Sequence, residues 1–167
     1  KYNYCKPEID TNGNQSSDGE GSSRSFVKAT ELRHSLIEQI NSDETYITND
    51  VSLGCHGGGG GADGGGCDGM LLYGTNAVGK TSLIRAIGIS IILAQSGFYV
   101  PASGFVYRPY RAIMTRILGN DNLFKGLSTF VVEMSELRVI LRMADRCTLV
   151  LGDELCSGTE MDSAISI

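Results

Sequence analysis

The chain has 167 residues, a formal net charge of −5 at pH 7, 41% hydrophobic residues and 20% charged residues. This size and balance are typical of one globular domain and exclude a collagen, a coiled coil and a fully disordered chain. Because no apolar run of about 18 residues is present and Lys and Arg are dispersed, we predict neither a membrane span nor a sequence-reading nucleic-acid surface within it.

The first predicted features are a linker and a short extended segment. Residues 11–25 (TNGNQSSDGEGSSRS) contain no large apolar side chain, so they cannot bury enough surface to offset the entropy of ordering them. We predict a flexible linker there, closing an opening segment 1–25. The main domain is predicted over 26–167, incomplete at its C-terminus, with an extended piece at 26–29 and a helical turn within 32–40.

A glycine-rich tract follows the next strand-like run, 45–53. Ten of the 22 glycines fall within 54–69, between that run and another at 70–73, so we predict a mobile insertion that lengthens a connection between strands. The insertion holds four residues of metal-binding type, Cys55, His56, Cys67 and Asp68. They lack a second ligand pair at zinc-finger spacing, so we predict no zinc site.

The strongest motif is a phosphate-binding loop between a strand and a helix. The run 70–73 (MLLY) is predicted as a buried strand, and 80–96 as a helix that is apolar almost all round and ends at Gly97. Between them GTNAVGKT matches G-x-x-x-x-G-K-[ST] in the required strand–loop–helix context. Its residues are Gly74, Thr75, Asn76, Ala77, Val78, Gly79, Lys80 and Thr81.

Each part of this loop has a chemical reason. The glycines let backbone N–H groups surround phosphate oxygens, and the helix N-terminus adds partial positive charge. Lys80 is predicted to reach the β- and γ-phosphates of ATP, and Thr81 to coordinate Mg²⁺.

The remaining elements alternate between strands and helices. We predict a strand at 112–118, a helix at 128–144 and an apolar strand at 148–151. Strands that are apolar on both faces and alternate with helices are typical of parallel sheets covered on both sides. The predicted fold class is α/β: a P-loop NTPase of the ABC-ATPase-like type, with a mostly parallel sheet flanked by helices.

Two acids follow the last predicted strand. A phosphate-binding loop needs such a carboxylate site at the end of a neighbouring strand. Asp153 is predicted to hold Mg²⁺, and Glu154 to orient and polarise the water that attacks the γ-phosphate. The alternative is that both acids only end a strand at the solvent.

The sequence resembles the ATPase domain of the MutS mismatch-repair family, and the resemblance covers most of the chain from residue 26 onward. The strings that carry the resemblance are GTNAVGKT, AQSGFYVPA, the RI at 116–117, STFVVEMSE and LVLGDELCSGTE. Upstream, Arg33-His34 and the runs 45–50 and 4–7 are similar to the segments that precede the loop in the family.

The resemblance implies ATP hydrolysis with Mg²⁺ at sites shared across a homodimer or heterodimer formed through this domain. By position, Tyr46 matches an aromatic that stacks on adenine, and Asn76 an asparagine near the γ-phosphate. Ser128 matches a serine that reaches the γ-phosphate bound by the other protomer, although a helix cap is the commoner role of such a serine. Double-stranded DNA would be held by domains outside this chain, and ATP binding and hydrolysis would switch this DNA-clamping dimer between states in mismatch repair.

Departures from the family pattern indicate a divergent branch. Thr75 stands where the loop usually has Pro, Val78 where it has Gly, and 156–159 (CSGT) where a Gly-Arg-Gly-Thr turn is usual. The predicted catalytic and metal positions are unchanged.

Two other classes of protein remain open. An ABC or chromosome-maintenance type ATPase would need an L-S-G-G-Q-like signature before the acidic strand, which 126–134 does not supply. A DNA-binding module that uses ATP without hydrolysing it would not need the full set of Lys80, Thr81, Asp153 and Glu154.

Cysteine usage indicates the compartment. Five cysteines at irregular spacing, with no secretory segment ahead of them, favour a reducing, intracellular location over a disulfide framework. The start at Lys1 and the end inside a helical pattern lead us to expect a fragment of a longer protein.

Overall fold

A computed structural model describes residues 3–11, 24–40, 46–54, 67–75, 78–117 and 129–155, with no side chains described for residues 129 and 130. The elements in chain order are strand β1 (Glu8–Ile9), strand β2 (Phe26–Leu32), helix α1 (Ile37–Ile40), strand β3 (Asn49–Leu53), helix α2 (Lys80–Gln95), strand β4 (Gly104–Arg108), strand β5 (Ala112–Arg116), helix α3 (Thr129–Met143) and strand β6 (Thr148–Gly152). Within these ranges, no helix has the length and apolar character needed to cross a membrane.

Four strands form one sheet in the order β1-β4-β2-β3. Strand β2 pairs antiparallel with both β3 and β4, and β1 pairs parallel with β4. Along β2, Val27 and Ala29 are buried while Lys28 and Thr30 are exposed, the period-two pattern of a strand with one face in the core. The register of β2 against β3 shifts after Ala29, where Glu31 adopts a φ of 51°.

The second sheet is a parallel pair, β5 and β6, against which α2 packs. A Cβ atom on Gly88 of α2 would lie 2.8 Å from Cδ1 of Leu151 on β6, so the glycine allows the helix and the strand to approach closely. The described strands thus include both parallel and antiparallel pairs, and the P-loop NTPase class stays a prediction.

Helix α2 agrees with its predicted limits because both ends carry glycines with positive φ. Gly79 (φ 94°) precedes the first turn, and Gly97 (φ 80°) follows the last. At the C-terminal end, the N–H of Phe98 donates to the carbonyl of Leu93 at 2.9 Å and that of Gly97 to Ala94 at 3.1 Å. These two bonds form a Schellman motif, which ends the helix where the sequence predicted.

Most other predicted elements are present with different limits. Strands β5 and β6 and helix α3 each begin within one residue of the predicted start. Strand β5 ends at Arg116 rather than at 118, and α1 spans only four residues of the predicted 32–40. Strand β4 was not predicted, although its buried Phe105 and Tyr107 alternate with less buried neighbours. The short β1 was missed as well.

The buried strand predicted at 70–73 is wrong. These residues form no ladder with another described strand, and Leu71 and Tyr73 are 87% and 90% exposed. Gly54 instead donates its N–H to the carbonyl of Cys67 at 2.8 Å, which ties the end of the insertion to β3. A cavity of about 640 Å³ has residues 69–72 and β6 in its walls. Apolar character alone therefore did not supply the pairing partner that a strand needs.

The predicted linker and insertion are described only at their edges. Residues 12–23 and 55–66 lie outside the described residues, as do Cys55 and His56. Where the chain is described again, Arg24 forms an ion pair with Asp68 at 2.8 Å, and the N–H of Ser25 donates to the carbonyl of Arg146 at 3.2 Å.

Ser90, in the middle of α2, provides a test of the core. Its side chain is fully buried, and no described residue forms a hydrogen bond with its Oγ. Burying an unsatisfied hydroxyl is unfavourable, so Ser90→Ala should raise the free energy of unfolding by about 1 kcal/mol in urea denaturation.

Ser135 of α3 is the matched control, because it is exposed and its hydroxyl already donates to the carbonyl of Val131 at 2.8 Å. Ser135→Ala should change stability by less than about 0.5 kcal/mol. Equal effects of the two substitutions would contradict the assignment of Ser90 as an unsatisfied group.

Candidate nucleotide-binding site

The predicted phosphate-binding loop turns sharply into α2. Gly79 precedes the helix in a left-handed conformation, where a side chain would be strained, and its carbonyl accepts the N–H of Leu83 at 2.9 Å. Gly74, at the other end of the loop, has a φ of 155°. Asn76 and Ala77 lie outside the described residues.

Lys80, the first residue of α2, lies across this loop. Its Nζ donates to the carbonyl of Gly74 at 2.8 Å and to that of Thr75 at 2.7 Å. An ammonium group held by two carbonyl oxygens at the mouth of the loop is placed to exchange these partners for phosphate oxygens.

Thr81 and Asp153 are joined directly, although they are 72 residues apart in sequence. The hydroxyl of Thr81 donates to Oδ2 of Asp153 at 2.7 Å. Asp153 follows the last residue of β6, and its N–H donates to the carbonyl of Arg116 at 2.8 Å, which continues the β5–β6 ladder by one step. The two residues predicted to hold Mg²⁺ therefore meet at one point.

The donor set at this point fits magnesium. Mg²⁺ prefers oxygen ligands at about 2.1 Å in an octahedron, so neighbouring ligand oxygens lie roughly 3 Å apart. The hydroxyl of Thr81 and the carboxylate of Asp153 supply two oxygens at about that separation. In the part of the chain that the structure describes, no group of three or more His, Cys, Asp or Glu residues is placed to hold a metal. One or two protein ligands are usual for Mg²⁺ bound with phosphates.

Glu154 follows Asp153 in a strained backbone conformation. It has a φ of 48°, which is uncommon for a residue other than glycine, and it is exposed. Lys80, Asp153 and Glu154 all line the cavity beside β6. The side chain predicted to polarise water thus shares a cavity with those predicted to bind phosphate and metal.

Of Tyr46 and Ser128, which are both predicted to contact ATP, the structure describes only Tyr46. Ser128 lies outside the described residues. Tyr46 is half-buried just before β3 and hydrogen-bonds with the backbone of His34; burial raises the pKa of its phenol. Its predicted contact with adenine stays a prediction.

His34 is a buried residue that the sequence analysis noted only as part of an Arg-His pair. Its Nδ1 accepts the N–H groups of Leu36 at 3.2 Å and Ile37 at 3.3 Å, at the start of α1. Burial lowers the pKa of the imidazole, and the nearby positive charge of Arg85 lowers it further. The neutral ring is the form that can accept at Nδ1.

Two other groups were missed as separate features. Arg116, quoted only within a two-residue string, is the last residue of β5 and its side chain forms an ion pair with Glu136 of α3. Glu133 is a carboxylate on α3 that is only 3% exposed. The sequence did contain a signal for Arg116. If the predicted strands 112–118 and 148–151 pair in parallel from their first residues, Arg116 lies beside Gly152, the residue before Asp153.

Comparison with known proteins identifies the family. A family model described as MutS domain V matches residues 70–167, more than half of the chain. The chain is 42% identical over its full length to a mitochondrial DNA mismatch repair protein mutS homolog of Sarcophyton glaucum. Over 96% of its length it is 39% identical to a putative DNA mismatch repair mutS homolog of Acanthamoeba polyphaga mimivirus, and over 99% it is 34% identical to the DNA mismatch repair protein MutS of Finegoldia magna.

The chain belongs to the MutS family. It spans 15% to 17% of the length of these three relatives, and its matched region is domain V.

The geometry of His34 generates a pH prediction. Because the folded pKa lies below the unfolded value, stability from the neutral ring is present above about pH 6.5 and is lost as the pH falls below it. The free energy of unfolding, measured by urea denaturation, should fall between pH 7.5 and pH 5.5.

Asn at this position keeps an acceptor but does not titrate. His34→Asn should therefore weaken this pH dependence, while His34→Ala should cost about 1–2 kcal/mol already at pH 7.5 by leaving both N–H groups without their acceptor. An unchanged pH dependence in His34→Asn would contradict the assignment.

Proposed function

We propose that this chain is the ATP-binding and ATP-hydrolysing part of a MutS-family DNA mismatch repair protein. The observation that carries the proposal is the 2.7 Å hydrogen bond from Thr81 to Asp153, which joins the predicted phosphate-binding loop to the predicted metal carboxylate. The match to MutS domain V supports it independently of geometry.

Each side chain has a role in the proposed chemistry. Mg²⁺ bound with ATP would neutralise charge on the phosphates and favour attack at the γ-phosphorus. Lys80 and the loop N–H groups would bind the phosphates, and Thr81 and Asp153 would hold the metal. Glu154, which follows Asp153 and has a left-handed backbone conformation, would orient and polarise the attacking water.

Three further contacts complete the proposal. Tyr46 would stack on adenine and Asn76 would lie near the γ-phosphate of the same chain. Ser128 would reach the γ-phosphate of a second protomer, so each site would be complete only in a homodimer or heterodimer.

The wider role follows from the relatives. They are named as DNA mismatch repair proteins. We propose that ATP binding and hydrolysis here switch an intracellular dimer whose other domains hold double-stranded DNA. An ABC or chromosome-maintenance ATPase is disfavoured by the family match. A module that binds ATP without hydrolysis is the remaining alternative.

Substitutions at Lys80 and Glu154 separate binding from turnover. Lys80→Ala should abolish detectable binding of a fluorescent ATP analogue, because the phosphates lose their only predicted side-chain cation. Glu154→Gln should keep binding and lower kcat by about 10²-fold or more, the typical contribution of a general base.

Glu31 is a matched control for Glu154, because it is also an exposed glutamate with a positive φ, 51° against 48°, but lies in β2. Glu31→Gln should leave kcat unchanged. Wild-type turnover in Glu154→Gln would remove the assignment of the base, and would leave hydrolysis without a named residue to activate water.

The shared-site proposal predicts a dependence on protein concentration. The chain alone, diluted until it is monomeric, should hydrolyse ATP poorly, and its specific activity should rise with concentration as protomers associate. Steady-state hydrolysis measured beside sedimentation velocity tests this. Full specific activity in a monomeric sample would contradict the proposal.

A further inference from the structure

Arg116 connects α3 to the predicted metal ligands through three successive contacts. Glu136 Oε2 on α3 lies 2.9 Å from Arg116 Nε at the end of β5. The carbonyl of Arg116 accepts the N–H of Asp153 at 2.8 Å, and the carboxylate of Asp153 accepts the hydroxyl of Thr81 at 2.7 Å. Arg116 thus contacts α3 with its side chain and, through its carbonyl, the backbone N–H of Asp153, the predicted metal ligand.

We propose that Arg116 is a positioning residue that holds Asp153 at the correct distance from Thr81 for metal binding. The inference rests on the proposed function, since it concerns how the same metal site is held. Arg116 contacts neither substrate nor metal in this proposal and acts through Asp153.

The strand register places Asp153 at the end of the β5–β6 ladder. Arg116 pairs with Gly152, the last residue of β6, so Asp153 is the first residue beyond the ladder. A residue in that place is held by fewer hydrogen bonds than one inside a sheet. The hydrogen bond from the N–H of Asp153 to the carbonyl of Arg116 therefore sets the backbone position from which the Asp153 carboxylate extends.

The side chain of Arg116 is held by burial and by a charge partner. The side chain of Arg116 is 14% exposed, and that of Glu136 is 51% exposed. A mostly buried guanidinium needs a charge partner, so the Glu136 contact fixes where the end of β5 lies against α3. The Arg116 side chain also lines the cavity that contains Lys80, Asp153 and Glu154, so movement of β5 changes that end of the cavity.

Loss of the Arg116–Glu136 ion pair should have a modest effect on metal affinity. Glu136 is half exposed, and Nε of Arg116 is not aligned with the carboxylate as a hydrogen bond requires. Partly exposed ion pairs are weak, and outer contacts of metal ligands usually change metal affinity rather than abolish binding.

Arg111 offers a matched control. It precedes β5 and forms an ion pair of the same length, 2.9 Å, with Asp145 just after α3, but both side chains are largely exposed. Arg111→Gln thus removes an arginine ion pair between the residues next to β5 and α3, without changing the contact to Asp153.

The test is a Mn²⁺ titration followed by electron paramagnetic resonance, with the full protein and a non-hydrolysable ATP analogue. Arg116→Gln and Glu136→Gln should each raise the Kd for Mn²⁺ about fivefold, Arg116→Lys should lie between them and wild type, and Arg111→Gln should match wild type. Binding of the analogue without metal should be unchanged in all four. Saturating Mg²⁺ should restore most of kcat.

The outcomes separate this inference from the proposed function. If wild type binds Mn²⁺ with the analogue and both Arg116→Gln and Glu136→Gln bind it equally well, the positioning role is overturned and the proposed function stands. If wild type binds no Mn²⁺ with the analogue, the proposed function fails and this inference fails with it. Glu136→Gln keeps the test decisive if Arg116→Gln unfolds, because residue 136 is half exposed.

Discussion

The site depends on one short hydrogen bond, from the hydroxyl of Thr81 to the carboxylate of Asp153. Thr81 lies in the first turn of α2, and Asp153 lies just past the end of β6. Local sequence cannot hold these two residues together, so the packing of α2 on β6 must do so. Gly88 lies at this contact, and a Cβ there would come within 2.8 Å of Cδ1 of Leu151, so that side chain would have to shift.

The same arrangement brings the predicted site residues together at one end of the β5–β6 pair. Backbone amides and carbonyls beyond the last ladder bond are free to bind other groups, and loops that leave parallel strands carry the functional residues of many α/β proteins. Lys80, Asp153 and Glu154 reach this end from two elements. The strained backbone of Glu154 fits a residue whose orientation matters more than its local stability.

The sequence was most informative where a residue type has only one physical role. Gly97 predicted the C-terminal end of α2, and the loop motif predicted its start at Lys80. In the structure both Gly79 and Gly97 have a positive φ, which other residues avoid. The acids at 153 and 154 were located by the apolar strand before them. The family was recognised from short strings around the same residues, and the match to MutS domain V agrees with that recognition.

The sequence was least informative where structure depends on partners far along the chain. Residues 70–73 are apolar enough for a buried strand, yet the structure pairs them with no described strand. The Arg116–Glu136 pair could not be found by composition, since it requires the β5–β6 register and the position of α3 together. His34 likewise gains its role only from burial and from two N–H groups that follow it.

The most direct test of the central claim is a crystal structure of this chain with Mg²⁺ and a non-hydrolysable ATP analogue. The account predicts a magnesium ion about 2.1 Å from the hydroxyl of Thr81 and next to the carboxylate of Asp153, either directly or through one water. Lys80 should have left the carbonyls of Gly74 and Thr75 for phosphate oxygens. A triphosphate bound elsewhere, or a metal that contacts neither Thr81 nor Asp153, would contradict the account.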